Sequence, residues 1–193
     1  MPRPYTKTRR AEKEAATRER IVDAALDLHE KLGPNRTTIS MIAERAGVQR
    51  HTVYSHFPDE RSLLMACSGL HLERAPPPSP EAWATINDPE ARLRAALSAL
   101  YGWFAENEGV TATVLRDAQT NAVLAEVSGM RFGDAFGAIS LSLADGLDGE
   151  GQAALALALS FYTWRSLVRE SKLSLPQAVQ LMVRTILTSS IQL

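Results

Sequence analysis

Residues 37–57 read TTISMIAERAGVQRHTVYSHF, and no other stretch says as much about the fold. Before Gly47 its apolar residues recur at steps of three and four, which is the period of a helix. A helix-turn-helix needs a small residue where the two helices cross, a glycine in the turn, and an apolar residue that anchors the second helix. Ala43, Gly47 and Val53 occupy these places. The spacing predicts a helix-turn-helix whose first helix is capped by Thr38.

The second of these helices carries hydrogen-bonding side chains on its outward face, and none of them is acidic. A helix that enters the major groove must present donors and acceptors to base edges and phosphates without repelling the phosphates. An ordinary solvated face is the alternative, but such faces usually mix Glu with Lys. The pattern therefore favours DNA recognition by Gln49, Arg50, His51, Thr52, Tyr54, Ser55 and His56.

The rest of the chain is predicted to be all-α, with about nine helices, because no alternating strand pattern occurs. A basic N-terminal arm is expected over residues 1–17, although a solvated tail is equally compatible with the pattern. The proline-rich stretch at residues 76–80 separates a DNA-binding head with its connecting helix, 18–74, from a C-terminal domain, 75–193. Asp59, Asp88 and the pair Ser174–Gln177 predict further helix starts.

The distribution of charge and the single cysteine indicate the kind of partner and the cellular compartment to expect. The net charge is −1, but residues 1–74 carry 13 basic and 10 acidic side chains while residues 75–193 carry 8 and 12. A polyanion partner is therefore expected at the N-terminal end. Cys67 is the only cysteine, and no apolar run is long enough for a membrane span, so a cytoplasmic protein is expected.

Four segments carry a resemblance to a known family. Residues 18–28 (RERIVDAALDL), 37–39 (TTI), 42–48 (IAERAGV) and 53–59 (VYSHFPD) resemble, in this order, the N-terminal domain of the TetR family of transcriptional regulators. The resemblance implies a three-helix DNA-binding head and a C-terminal domain of about six helices that binds a ligand and dimerises. It also implies repression that a small molecule relieves.

Residue roles follow from the same resemblance. Tyr54 and His56 match family positions that contact phosphates, and Thr38 matches a capping threonine that also contacts a phosphate. Gln49, Arg50 and His51 stand where base contacts vary between members. Gln49 replaces a frequent serine and is expected to weaken the cap of the second helix. Glu60 replaces a frequent lysine and should repel the DNA backbone unless Arg61 compensates.

The last two helices are the expected dimer interface, because they are apolar over more than one face. An intrachain core is the alternative. The candidate dimerisation residues are Leu155, Leu159, Tyr162, Leu181, Met182 and Ile186.

A ligand site is expected in the C-terminal domain. Gly129, Gly133 and Gly137 form one stripe, which indicates either a closely packed neighbouring helix or room for a ligand. Apolar side chains with a few inward-facing charges are typical of ligand pockets. The candidate ligand-binding residues are Trp103, Phe104, Arg116, Met130, Asp134, Phe161, Trp164 and Arg165.

The sequence thus predicts a homodimeric regulator that binds double-stranded DNA, most simply a repressor released from a palindromic operator by a small-molecule effector. A regulator without an effector, or an activator, is the alternative. No nucleophile with an adjacent base and no phosphate-binding loop is present, so an enzyme is not expected, nor is a cofactor. His51 and His56 lack a third ligand, so no metal site is expected. Cys67 is expected in the core, with redox sensing as the alternative.

Overall fold

The computed structural model describes the backbone of residues 4–189 and the side chains of residues 9–189. All regular elements in this part of the chain are helical, which confirms the all-α prediction. The helices are α1 (Pro4–Leu32), α2 (Ile39–Ala46), α3 (Arg50–His56), α4 (Glu60–Arg74), α5 (Pro89–Glu106), α6 (Glu108–Ala118), α7 (Ala122–Leu143), α8 (Gly149–Ala158), α9 (Phe161–Arg165) and α10 (Leu175–Ser189). Short 3₁₀ turns form at Pro34–Arg36 and Pro80–Ala82, and a π-helical turn, Ser166–Glu170, continues α9.

Helix α1 begins before the position that the sequence predicts. The sequence indicates an arm over residues 1–17 that leads into a helix at residue 18, but α1 runs without a break from Pro4. The segment from 9 to 20 is rich in Ala, Glu, Lys and Arg, all good helix formers, so it continues the helix while remaining exposed. The predicted arm is therefore helical from Pro4 onward, and its first three residues lie outside the described residues.

The stretch from Gly149 to Arg165 forms two helices, α8 and α9. Ser160 interrupts the segment because its backbone is extended and its hydroxyl accepts a hydrogen bond from the Tyr162 N–H at 3.2 Å. This is an N-cap, and it starts α9 as a separate helix. The described part of the chain therefore has one helix more than predicted.

Most of the predicted helix starts have the expected capping hydrogen bonds. The Asp59 carboxylate accepts from the Ser62 N–H at 2.7 Å, and the Asp88 carboxylate accepts from the Ala91 N–H at 2.8 Å. The Gln177 side chain accepts from the Ser174 N–H at 2.9 Å, which is one half of the predicted capping box. Local sequence therefore determines where these helices begin.

The chain divides into two compact units. Unit 1 contains the described residues up to Ala75 together with Gly109–Arg131, and unit 2 contains Pro76–Glu108 together with the described residues from Phe132 onward. Unit 1 thus includes residues 109–131, which the sequence assigns to the C-terminal domain. In unit 1 the Thr113 hydroxyl of α6 donates a hydrogen bond to the His29 carbonyl of α1 at 3.0 Å. Contacts of this kind join segments that are far apart in the sequence.

Each unit has its own core. The core of the head in unit 1 joins α1, α2, α3 and α4 through Ile21, Ala25, Ile42, Ala43, Val53, Phe57, Leu63 and Cys67, all of which are buried. In unit 2, α10 packs against α5 and α8. No helix within residues 4–189 combines the length and the apolar character that a membrane crossing requires.

Candidate nucleic-acid interface

The turn between α2 and α3 depends on a left-handed glycine. Gly47 has φ 64° and ψ 40°, a conformation that side chains with a Cβ atom adopt at a cost. Its N–H and that of Val48 both donate to the Ala43 carbonyl, the latter at 2.9 Å. This pattern ends α2 and redirects the chain within two residues. The structure therefore has the glycine that the sequence predicts in the turn of the helix-turn-helix.

Helix α3 is held against the head by its apolar side. Val53 is completely buried, and Ala43 of α2 is only 3% exposed, so the two helices meet closely where small and branched side chains are in place. Phe57, just after α3, is also buried, and the Arg18 guanidinium of α1 lies 4.9 Å from the centre of its ring. The core therefore fixes this seven-residue helix along one side, and its opposite face is left to solvent.

The predicted DNA-reading residues lie together on that opposite face. Gln49, Arg50, His51, Tyr54 and Ser55 are exposed, and Thr52 and His56 are partly exposed. Helix α3 contains no acidic residue. The side chains can therefore offer donors and acceptors to a nucleic acid without like-charge repulsion from the same helix.

Two capping positions differ as the sequence indicates. The Thr38 hydroxyl accepts a hydrogen bond from the Met41 N–H at 3.3 Å and so caps α2. Gln49 occupies the N-cap position of α3 with extended backbone, but its side chain makes no capping hydrogen bond. Gln49 therefore does not cap α3 with its side chain, although its carbonyl accepts from the Thr52 N–H at 2.9 Å.

Other polar side chains near α3 are engaged within unit 1. The Ser55 hydroxyl donates to the His51 carbonyl at 2.9 Å, one turn earlier in the same helix. Arg45 of α2 pairs with Asp27 of α1 at 2.6 Å, with both side chains partly exposed. The Arg20 guanidinium donates to the Ala46 carbonyl at 3.3 Å. The last two contacts orient α2 on α1.

Arg61, the residue expected to compensate for Glu60, is paired within unit 1. Its guanidinium pairs with Glu126 of α7 at 3.0 Å. Glu60, the residue expected to repel a DNA backbone, instead accepts a hydrogen bond from the Asn121 side chain at 2.8 Å. The cause is tertiary, since α7 and the residue before it bring both partners to the start of α4 from more than sixty positions away.

A group of buried polar residues beside the head is not predicted from the sequence. His29 is 6% exposed, and burial lowers its pKa to about 4 even though the Asp117 carboxylate acts in the opposite direction. Burial opposes ionisation of Asp117 as well, but hydrogen bonds from Arg116 and Asn35 hold the pKa of this carboxyl below its ordinary value. No local motif marks these residues, because Asn35 and Asp117 are 82 positions apart.

The other titratable candidates are structural. Cys67 is buried in the head core, and burial raises the pKa of its thiol to about 12, so little reactive thiolate forms near neutral pH. Within the described residues, no three His, Cys, Asp or Glu side chains are grouped in a way that could hold a metal ion.

Only half of the predicted ligand-binding residues are buried. Four of them form an aromatic cluster in unit 2, with ring centres 5.6 Å apart for Trp103 and Phe104, 5.5 Å for Phe104 and Phe161, and 5.3 Å for Phe161 and Trp164. The others are exposed, so the expected inward-facing charges are not found, while ligand binding by these residues stays a prediction: Arg116, Met130, Asp134 and Arg165. Three of these carry charges, and two of the three pair with carboxylates: Arg116 with Asp117 at 2.7 Å and Arg165 with Glu170 at 3.9 Å.

The glycines of α7 do not meet a neighbouring helix. Apart from the neighbouring residues and backbone of α7 itself, a Cβ atom added at Gly129, Gly133 or Gly137 would have no described atom within 4 Å. The alternative of a closely packed neighbouring helix is therefore not found among the described residues, and room for a ligand stays a prediction.

The predicted dimerisation residues are mostly inside the chain. Leu155, Leu159, Met182 and Ile186 are buried in the core of unit 2, which corrects their assignment to an interface in favour of the intrachain alternative. They are buried because α10 packs against α8 and α5 within the same chain. Tyr162 is 47% exposed, and Leu181 is partly exposed.

Comparison with known proteins agrees with this geometry. The sequence model of "Bacterial regulatory proteins, tetR family" matches residues 21–67. A helix-turn-helix-type transcriptional regulator of Mycobacterium tuberculosis is 41% identical over 58 residues, which are 30% of this chain and 31% of that protein. The match thus spans about a third of the length of such curated relatives.

Solved structures match over nearly the whole chain. A transcriptional regulator from Rhodococcus sp. RHA1 has a TM-score of 0.64 and 20% identity, covering 91% of this chain and 98% of that one. The SmeT–triclosan complex has a TM-score of 0.61 and 26% identity, covering 92% of each chain. Residues 21–67 therefore match the DNA-binding domain of the tetR family of bacterial regulatory proteins, and the described chain has the helical fold of these solved regulators.

Proposed function

We propose that this chain is a transcriptional regulator that binds double-stranded DNA through the exposed face of α3. One observation carries the proposal: a seven-residue helix buries Val53 completely while it exposes Arg50, His51 and Tyr54 with no acidic side chain among them. Helices that read the major groove have this division between an anchored side and a polar side. Regulation rather than catalysis is also what the match to this family indicates.

The regulator acts as a homodimer on a palindromic operator. A single α3 contacts too few base pairs for useful specificity, whereas two copies related by a two-fold axis read half-sites roughly 34 Å apart or a multiple of that. Unit 2 offers surface for this assembly, because Leu157 is 56% exposed and Tyr162 is 47% exposed on the successive helices α8 and α9. Large apolar side chains that remain exposed on a single chain are typical of subunit contacts.

A small-molecule effector releases the dimer from its operator, and it binds in unit 2. The aromatic cluster supports this part of the proposal, because Trp164 is fully buried and its Nε1–H has no hydrogen-bond acceptor among the described residues. An acceptor on an effector would satisfy this donor. The SmeT structure was solved with triclosan, which supports small-molecule binding for this chain as well.

A second candidate is a regulator with no effector. The rings of Phe104, Phe161 and Trp164 pack with centres 5.3–5.9 Å apart, and such packing fills a core as readily as it lines a pocket. The two candidates differ in what the purified dimer does when small aromatic molecules are added.

In vitro selection of bound duplexes from a random pool tests the DNA-binding proposal. We expect recovery of a palindrome, bound at modest salt roughly a thousandfold or more tightly than random duplex, which is the ratio typical of specific binders. Recovery of no preferred sequence would contradict the proposal.

Thermal unfolding with triclosan as the first probe, followed by other aromatic compounds, tests the effector. We expect a compound that raises the melting temperature to weaken operator binding, since a ligand shifts the two states only by its differential affinity. In Trp164→Phe, which keeps an aromatic ring in the cluster but removes the N–H, the rise should be smaller. If no compound in the set changes either quantity, the second candidate is favoured.

A further inference from the structure

A short segment of unit 1, residues 117–121, runs from the last two residues of α6 to the residue before α7 and makes hydrogen bonds to the chain on both sides of the helix-turn-helix. We call this segment the bracket. Three of its side chains contact these parts of the chain: Asp117, which is 5% exposed, Asn121, which is partly exposed, and Thr120, whose hydroxyl accepts from the Asn35 side chain at 3.2 Å.

On one side, the bracket holds the 3₁₀ turn that precedes α2. The Asp117 carboxylate accepts from the Asn35 backbone N–H at 2.9 Å, and the Asp117 carbonyl accepts from the Asn35 side chain at 3.3 Å. The Arg116 guanidinium donates to the same carboxylate at 2.7 Å and fixes its orientation. Asn35 stands three residues before Thr38, which caps α2.

Gly33 shows how closely the two segments approach. Its φ of +92° already favours glycine, and a Cβ atom there would overlap the Asp117 carboxylate and the Arg116 guanidinium. The Thr37 hydroxyl donates to the Gly33 carbonyl at 2.8 Å and closes the turn. The turn is therefore held from within and from the bracket.

On the other side, the bracket holds the start of α4. The Asn121 side chain donates to the Asn35 side chain at 3.0 Å and to the Glu60 carboxylate at 2.8 Å. Its oxygen accepts from the Leu124 N–H at 2.9 Å, which caps α7 and fixes the amide in place. Glu60 follows the end of the helix-turn-helix at Phe57 by three residues.

We infer that Asp117 and Asn121 are positioning residues for DNA recognition: they hold the entry and the exit of the helix-turn-helix and thereby set the presentation of Thr38 and α3. Neither residue needs to touch the nucleic acid. The inference rests on the proposed function. A role in general stability alone would not require contacts at both ends of the motif, since the head has its own apolar core.

The test uses the full-length dimer, the duplex recovered by selection, and a random duplex of the same length. Asp117→Ala and Asn121→Ala should each weaken binding to the selected duplex about tenfold, with a smaller change for the random duplex, because phosphate contacts tolerate misplacement better than base contacts. Each dissociation constant is corrected for the active fraction by stoichiometric titration. Asp117→Asn keeps an oxygen that can accept from Asn35 and should recover part of the loss.

The matched control is Thr113→Val. It removes the hydrogen bond from α6 to the His29 carbonyl in the same unit but leaves both ends of the motif untouched. It should lower the melting temperature without changing the ratio of specific to random binding. Asn121→Ala, at a partly exposed position, keeps the test available even if Asp117→Ala does not fold.

Two failures are distinguishable. If the unaltered protein prefers no duplex, the proposed function is wrong and the inference falls with it. If the unaltered protein binds its selected duplex and the bracket variants bind it equally well, or lose no more specificity than Thr113→Val, the inference alone is wrong.

Discussion

Single residues in the head have separable roles, although they are close in sequence. On α3 the buried Val53 anchors the helix, while its exposed neighbours Arg50 and Tyr54 face solvent. Elsewhere in unit 1, His29 and Asp117 are buried polar groups whose ionisation is set by their surroundings. Substitution of Arg50 should therefore change the affinity for DNA, and substitution of His29 should change how stability depends on pH.

Replacing Arg50 by alanine should weaken binding to the selected duplex by roughly 10- to 100-fold, because a side chain that contacts a base contributes about 1–3 kcal/mol of discrimination. Fluorescence anisotropy with selected and random duplexes measures this loss. Arg74→Ala is the control. Arg74, the last residue of α4, is an exposed cation of unit 1 and pairs with Asp23 of α1. Equal losses in the two variants would mean that Arg50 acts only through net charge.

The buried His29 should make the free energy of unfolding depend on pH. Its pKa in the folded chain is about 4, below the ordinary value of 6.5, so the unfolded chain binds a proton that the folded chain does not take up between these values. This contribution to stability is complete above pH 6.5 and is lost as the pH falls toward 4, by about 3 kcal/mol. Urea unfolding at neutral pH and at a pH just above the lowered pKa measures it, and His29→Gln should lose correspondingly less. Identical losses would show that His29 titrates normally in the folded protein.

At the level of elements, helix ends follow local rules while helix faces follow tertiary packing. Thr38, Asp59 and Asp88 cap the helices that the sequence assigns to them. The faces are less predictable: the glycines of α7 form a stripe in the sequence, yet in the structure their neighbourhood is open. Because these glycines have free space around them, replacing them by alanine should change the free energy of unfolding in a predictable direction.

Gly133→Ala and Gly137→Ala should each stabilise unit 2 by about 1 kcal/mol, because alanine favours a helix interior over glycine and, apart from the neighbouring residues and backbone of α7, no described atom lies within 4 Å of the added Cβ. Chemical denaturation of the two variants measures the change. Gly102→Ala in α5, where the added Cβ also has free space, is the matched control. If only the α7 variants lose stability, a second copy or a ligand covers the stripe in solution.

For the molecule as a whole, the proposed palindrome requires two chains. The residues that the sequence predicts for the interface are largely core, so the remaining exposed apolar side chains of α8 and α9 are the surface to test. Dimer assembly and DNA affinity should therefore be coupled.

Leu157→Glu should dissociate the dimer, because it places a charge where an apolar side chain, 56% exposed on the single chain, is proposed to be buried on association. Sedimentation equilibrium should show the mass falling from twice 21.1 kDa toward that of one chain. Ala125→Glu on α7 adds the same charge at an exposed position without a large apolar side chain; it is the control and should leave the mass unchanged. A Leu157→Glu protein that stays dimeric with unaltered affinity would place the interface elsewhere.

Local sequence was sufficient to establish the helix-turn-helix, the all-helical class and most helix starts. These features depend on residues that are close in sequence, such as Ala43, Gly47 and Val53. They can therefore be predicted from the spacing of residue types alone. The aromatic residues Trp103, Phe104, Phe161 and Trp164 could also be named, although not how tightly their rings pack.

The tertiary structure alone shows which apolar helix faces are buried and which polar groups form hydrogen bonds with each other. Leu155 and Ile186 give the same sequence signal whether they face a partner or their own chain, and packing of α8 and α10 buries them. Arg116 is predicted to face inward and is exposed, whereas its neighbour Asp117 is buried. Burial and hydrogen bonding escape local patterns because they join segments such as those around Asn35 and Asp117, which are distant in the chain and brought together by folding.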